Sequence, residues 1–231
     1  MDYRKGGSVL ELIDIAVTYA GRPILSIPRL VFEEGKRYGI IGENGSGKTT
    51  LLKVISQWLV PNRGEIRGLE GLEIGYMPQK PFIFSISTLA NVLVALEGVQ
   101  NKEDQAKLAL EKVGLTAYNT QRADILSGGE QQRLALARLI AKPRDLLLLD
   151  EPSSATDIRG TDQIEAILKG YCEETGCTLI ISTHSPAQAL RMVEEVIFLE
   201  EGEVIEQGQV DTVIHHARQP VTQAFLEHWH I

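Results

Sequence analysis

The sequence predicts an α/β fold with a parallel sheet covered by helices on both faces. An antiparallel β portion lies near the N-terminus, and a helical subdomain is inserted between two halves of the core. Three observations carry this reading. Continuously apolar strands such as Arg37-Tyr38-Gly39-Ile40-Ile41 and Leu146-Leu147-Leu148-Leu149 recur in strand–helix–strand order, and a strand apolar on both sides is buried on both faces. Val9 to Tyr19 instead alternates in places, as an antiparallel strand with one wet face does. From 81 to 142 the periodicity is helical. The expected division is an α/β core at 1–80 and 143–231, with the helical segment 81–142 inside one domain.

The first strand, Val9–Tyr19, is broken by Gly21-Arg22-Pro23, and Ile24–Phe32 resumes an extended pattern. Glu34-Gly35-Lys36 is a turn into the strand Arg37–Ile41. A helix from Thr49 to Leu59 is stopped by Pro61-Asn62, and short strands follow at Glu65–Arg67 and Leu72–Met77. In the helical block, Ser87 caps a helix over Thr88–Leu96, and Gly114 closes one over Lys102–Val113. Another runs from Ser127 towards Ala141 and ends before Pro143. Leu146–Leu149 and Thr178–Ser182 are strands joined by a helix at Gln163–Tyr171. Val221, Ala224, Phe225 and Trp229 share a helical face that would dock on the core.

Composition narrows the function. The chain has 231 residues, 43% of them hydrophobic, and a formal net charge of −8. That balance argues against a broad nucleic-acid footprint, which needs a basic stripe. No apolar run approaches the roughly 18 residues of a spanning helix, and Met1–Gly7 does not read as a secretory signal. A membrane role would therefore come through a partner. Cys172 and Cys177 are the two cysteines and read as reduced thiols. The histidines His215, His216, His228 and His230 read as a solvated tail.

Gly42-Glu43-Asn44-Gly45-Ser46-Gly47-Lys48-Thr49 follows a strand and opens a helix. That context makes it a phosphate-binding loop on a P-loop NTPase core. Glycines let successive N–H groups turn inward as an anion nest. A helix terminus adds only about 0.3–2 kcal/mol, so Lys48 must supply full charge to the β- and γ-phosphates, while Thr49 offers a hydroxyl to Mg²⁺. Asp150 and Glu151 end the strand of four leucines, at the edge where open α/β sheets bind ligands. Asp150 is placed to hold Mg²⁺ and Glu151 to act as general base. Ser127-Gly128-Gly129-Glu130 is a capping box, yet two glycines weaken a first turn. They make sense where the backbone must approach a phosphate.

With Leu126-Ser127-Gly128-Gly129-Glu130-Gln131-Gln132-Arg133 between the glycine loop and the acidic strand, the chain resembles the ATP-binding subunit of an ABC transporter over nearly its full length. The resemblance implies ATP and Mg²⁺ as cofactors and a second copy of the chain as partner. Ser127, Gly128 and Gly129 of one copy would face the γ-phosphate held by Gly42–Thr49 and Thr50 of the other. It also assigns Gln79 to sensing Mg²⁺ and the attacking water. His184 would hydrogen-bond the γ-phosphate and orient Glu151, and Tyr19 would stack on adenine. Asp157 matches the family's interface loop, whereas Thr156 stands where an apolar residue is usual. Pro81-Phe82-Ile83-Phe84 would help form a groove for a partner's helix. Integral membrane permease subunits and an extracytoplasmic solute-binding protein are the implied partners, at the cytoplasmic face of the membrane.

An importer is expected because the cassette stands alone. The chain also ends soon after the cassette, without the additional C-terminal domain common in sugar-importer subunits. His184-Ser185-Pro186-Ala187-Gln188-Ala189-Leu190-Arg191 and Pro220-Val221-Thr222-Gln223-Ala224-Phe225-Leu226 resemble tungstate- and phosphate-type members, which points to an oxyanion such as tungstate. The rival reading is a soluble ABC-type ATPase acting on a non-transport complex, as in cluster assembly.

Overall fold

β1 (Leu10–Tyr19) and β2 (Arg22–Phe32) pair antiparallel across a two-residue turn. Ala20 and Gly21 both take positive φ there, 48° and 79°, a turn whose twist matches that of the flanking strands. β4 (Arg63–Arg67) adds to the other side of β1, giving a three-stranded sheet of order β2-β1-β4. The computed structural model describes residues 10–229. Val9, the Met1–Gly7 segment and His230 lie outside it.

The second sheet has the order β5-β6-β7-β3-β8-β9. Its strands are β3 (Arg37–Ile41), β5 (Ile74–Met77), β6 (Leu146–Asp150), β7 (Thr178–Thr183), β8 (Glu195–Glu200) and β9 (Glu203–Gln209). All pair in parallel except β9, which runs antiparallel to β8. Five carboxyl ends therefore share one edge. β7 lies between β3 and β6, so its last residues fall between the glycine loop and the acidic strand end.

Side-chain alternation divides these strands between two apolar interiors. Leu146 and Leu148 face the cluster that contains Leu12, Phe32, Leu51 and Ile180, under the antiparallel sheet and α1 (Lys48–Ile55). Leu147 and Leu149 face the opposite cluster with Leu179, Ile181 and Phe198. Each fully buried leucine contributes about 1.5–3 kcal/mol. The second cluster runs on without a break into the helical block through Val92, Leu110 and Leu134. α2 (Thr88–Val94), α3 (Lys102–Lys112) and α4 (Gly128–Ile140) thus share one interior with the sheet face they cover.

Several boundaries differ from expectation. The helix after the glycine loop ends at Ile55, not Leu59, because Gln57 takes a left-handed φ of 60°. The helix expected at Gln163–Tyr171 is α5, Ile158–Thr175, capped by the Asp157 carboxylate accepting from Gly160 N at 2.8 Å. Exposed Ile158 hid that start. β8, β9, α6 (Pro186–Met192) and α7 (Val210–His215) are elements beyond those expected from the sequence. α8 (Pro220–Glu227) turns Thr222, Phe225 and Leu226 inward, with Trp229 half-buried just beyond it. Val221 and Ala224 are exposed, so the expected face is rotated. His215, His216 and His228 are exposed as predicted, but they sit on packed helices and not on a loose tail. Cys172 and Cys177 are buried free thiols 3.8 Å apart. Their mutual hydrogen bond, reinforced by burial, pushes the Cys172 thiol well above its ordinary range.

Candidate active site

The chain leaves β3 at Ile41 and turns sharply at Gly42, Gly45 and Gly47, with φ of 149°, 88° and 106°. Gly42 has no room for a side chain, since a Cβ there would meet the Leu199 carbonyl oxygen at 2.1 Å. The loop folds over Lys48, whose buried Nζ donates to the carbonyls of Gly42 and Glu43 at 2.9 and 2.8 Å. Burial lowers the lysine pKa, and the carboxylates of Glu151 and Asp150 oppose that shift. Ser46 Oγ is buried with no hydrogen-bond partner among the described residues, which is rare for a buried hydroxyl. Glu43, Asn44 and Gly45 are exposed along the loop crest, and Thr50 lies half-buried one residue beyond Thr49.

Further side chains meet this loop at the sheet edge. Thr49 Oγ1 donates to Asp150 Oδ2 at 2.7 Å, and Ser182 Oγ donates to Asp150 Oδ1 at 2.6 Å. Glu151 follows at a left-handed φ of 46°, a strain of about 1–3 kcal/mol that persists only where surrounding contacts impose it. Its backbone N–H donates to Ser182, and its carbonyl accepts from Gln132 Nε2 at 3.4 Å. Its carboxylate accepts from Gln79 Nε2 at 2.8 Å and lies 3.5 Å from His184 Nδ1. Lys48, Thr49, Gln79, Asp150, Glu151 and His184 therefore converge at this edge.

Ser127, Gly128 and Gly129 do not join them within this chain. Ser127 caps α4 in a reciprocal capping box: its N–H and Oγ both donate to Glu130 Oε2, at 2.8 and 2.7 Å. Gly128 and Gly129 lie beside Ala155 and Thr156, in the loop after Glu151. Thr156 Oγ1 donates to the Ser153 carbonyl and pairs with Thr161, which replaces an apolar anchor by hydrogen bonds. Tyr19 ends β1 and is 77% exposed.

Two supporting residues escaped the sequence reading. Ser182 follows three apolar residues of β7 and is in register with Asp150, and that polar interruption is the available signal. Gln188 is buried, accepting from Thr183 Oγ1 at 2.7 Å and donating to Ser153 Oγ at 2.9 Å and Glu165 Oε1 at 3.2 Å. It ties the loop after Glu151 to the strand end before His184, a tertiary link that no local pattern announces.

A glycine cradle around a buried lysine, with an unpartnered buried hydroxyl inside it, fits a polyphosphate. Thr49 and Asp150 are hard oxygen donors suited to Mg²⁺. Among the described residues no three His, Cys, Asp or Glu side chains converge on a metal position. The family described as "ABC transporter" matches residues 25–154, more than half of the chain. The chain belongs to the ABC transporter family.

Within the ABC family, the tungstate uptake system ATP-binding protein TupC of Peptoclostridium acidaminophilum is 38% identical over 213 residues, covering 87% of this chain and 98% of that protein. Phosphate import ATP-binding protein PstB 2 of Natronomonas pharaonis is 32% identical, with coverages of 91% and 85%. Methionine import ATP-binding protein MetN 2 of Enterococcus faecalis is 30% identical over 96% of this chain, which spans only 66% of that protein. Among solved structures, the ATP-binding cassette MJ0796, in a dimeric post-hydrolysis state bound to ADP and Pi, has a TM-score of 0.79 at 28% identity, covering 87% of this chain and 98% of the cassette. This chain is accordingly an ATP-binding cassette with ATPase activity. Among the described residues no helix is long and apolar enough to cross a membrane.

Proposed function

We propose that the chain is the ATP-hydrolysing subunit of an importer, working as a homodimer on permease subunits at the cytoplasmic face of the membrane. An extracytoplasmic binding protein delivers an oxyanion, with tungstate favoured. Each of two ATP molecules sits between the glycine loop of one copy and Ser127–Gly129 of the other. Lys48 and the loop N–H groups hold the β- and γ-phosphates, and Tyr19 stacks on adenine. Thr49, Gln79 and Asp150 would hold Mg²⁺, which would supply neutralisation of charge on the phosphate oxygens. Glu151, steadied by Gln79 and His184, takes the proton of the attacking water. Because Gln79 touches Glu151 directly, displacement of its segment alters the general base.

The substrate assignment rests on one observation: TupC is matched almost end to end at 38% identity, whereas the methionine, spermidine, iron and phosphate relatives stand at 30–33%. The test is ATPase activity of the reconstituted complex with its binding protein, titrated with tungstate, molybdate, phosphate and amino acids. Tungstate or a related oxyanion should stimulate turnover. Stimulation by an amino acid alone contradicts the oxyanion assignment and leaves the ATPase standing.

Permease docking is assigned to the run after Gln79. Ile83 packs against the interior, but Phe82 is 68% exposed and Phe84 37%. The two rings meet edge to face at 4.9 Å, under the Arg138 guanidinium 5.6 Å from Phe84. Buried Asn91 clamps the loop through the N–H and carbonyl of Phe84, both at 3.0 Å. An exposed aromatic pair on a rigid loop is a surface for a partner's helix. Phe84→Asp should uncouple transport while soluble ATPase persists, with stability changed by only about 0.5 kcal/mol. A collapsed melting transition would show instead that these rings belong to the core.

A further inference from the structure

The pocket that holds Asn44, Gln79, Glu151 and His184 has another wall. His228 and Trp229, from the far end of the described chain, line it as well. α8 brings them there because it is anchored next to the phosphate loop. Phe225 is buried with its ring 5.1 Å from Phe198 on β8, and Thr222 and Leu226 are buried beside it. The Trp229 N–H closes the last turn onto the Leu226 carbonyl at 2.9 Å. The indole then faces His184, with ring centroids 6.0 Å apart and planes tilted by 38°, within the range in which aromatic rings attract.

His184 needs such a support. Its side chain is 54% exposed. Among the described residues its polar and ring partners are two, Glu151 at 3.5 Å and Trp229. A carboxylate at 3.5 Å is too distant to fix an imidazole by itself. We propose that Trp229 is a positioning residue for ATP hydrolysis: its indole holds the His184 ring at the γ-phosphate end of the pocket, so that α8 completes the site. This rests on the reading of His184 and Glu151 given above.

The test compares Trp229→Ala, Trp229→Phe and His184→Ala in the full chain, measuring kcat, KM for ATP and thermal melting. Loss of ring support should lower kcat about tenfold, as small misplacements of reacting groups do, with KM nearly unchanged. Trp229→Phe, which keeps a ring against the imidazole, should restore most of that loss. If His184→Ala is inactive but Trp229→Ala turns over normally, the positioning role is wrong and the site reading survives. If His184→Ala retains full turnover, the site reading itself fails. Equal impairment of the Ala and Phe variants, with matching losses of melting temperature, would mean that Trp229 only holds α8 in place. A second readout does not depend on those variants. The chain has two tryptophans, so Trp58→Phe leaves Trp229 as sole emitter. ATP with Mg²⁺ should then change the emission and AMP should not, and an unchanged signal with ATP overturns the proposal.

Discussion

Glu151→Gln is expected to bind ATP with near-parental affinity and to lose roughly 10²–10⁴-fold of its turnover, the usual contribution of a general base. The amide keeps the size of the carboxylate, and its oxygen can still accept from Gln79, which now donates at 2.8 Å. The left-handed backbone at this position is held by Ser182 and Gln132 through main-chain groups, so the substitution should leave the loop in place. It removes only the capacity to take a proton. Closure then no longer ends in hydrolysis, and an ATP-dependent dimer should accumulate. Light scattering with ATP and Mg²⁺ measures that dimer, and a coupled assay measures turnover. Turnover close to the parent's would remove Glu151 from the chemistry.

Ser127→Arg should abolish hydrolysis while leaving ATP affinity largely intact. Ser127 is exposed, and among the described residues no hydrogen bond joins it to the glycine loop. Its hydroxyl proton is held by Glu130 at 2.7 Å, so contact with a phosphate would require that bond to open. Loss of the cap costs about 0.5–2 kcal/mol of stability, which a folded cassette tolerates. The bulky arginine should instead occupy the place that the partner's γ-phosphate takes in the site it faces. If affinity falls as far as it does in Lys48→Ala, then Ser127 acts within its own chain and the two-copy site is wrong.

The parts of this molecule that were legible in the sequence are those whose chemistry is local. Gly42, Gly45 and Gly47 declare themselves because only glycine fits their backbone. The four leucines of β6 declare a strand buried on both faces, and Asp150 and Glu151 mark its ligand-binding end. The glycine loop and the acidic strand end of the candidate site are therefore legible in the sequence. What stayed hidden depends on tertiary contact. β9 reads Glu-Val-Ile-Glu-Gln-Gly-Gln, too polar to announce an edge strand whose antiparallel partner is β8. The face of α8 was misjudged because Thr222 is buried while Val221 is not. Trp229 gives no sign in sequence that it lies against His184, more than forty residues away. Ser127 was ambiguous for another reason: a capping box and a phosphate contact use the same residues, and one chain shows only the first.

In a two-fold dimer, each loop that meets Ser127 of its partner has a mate related by symmetry. Mixing Ser127→Arg with Lys48→Ala therefore tests the shared site most directly. In the mixed dimer one site carries both lesions, and the other pairs an intact glycine loop with an intact Ser127. ATP hydrolysis is measured for each variant alone and after the two are combined. The predicted result is two inactive proteins that regain hydrolysis when mixed. A mixture as inactive as its components would contradict a site built from two copies of this chain.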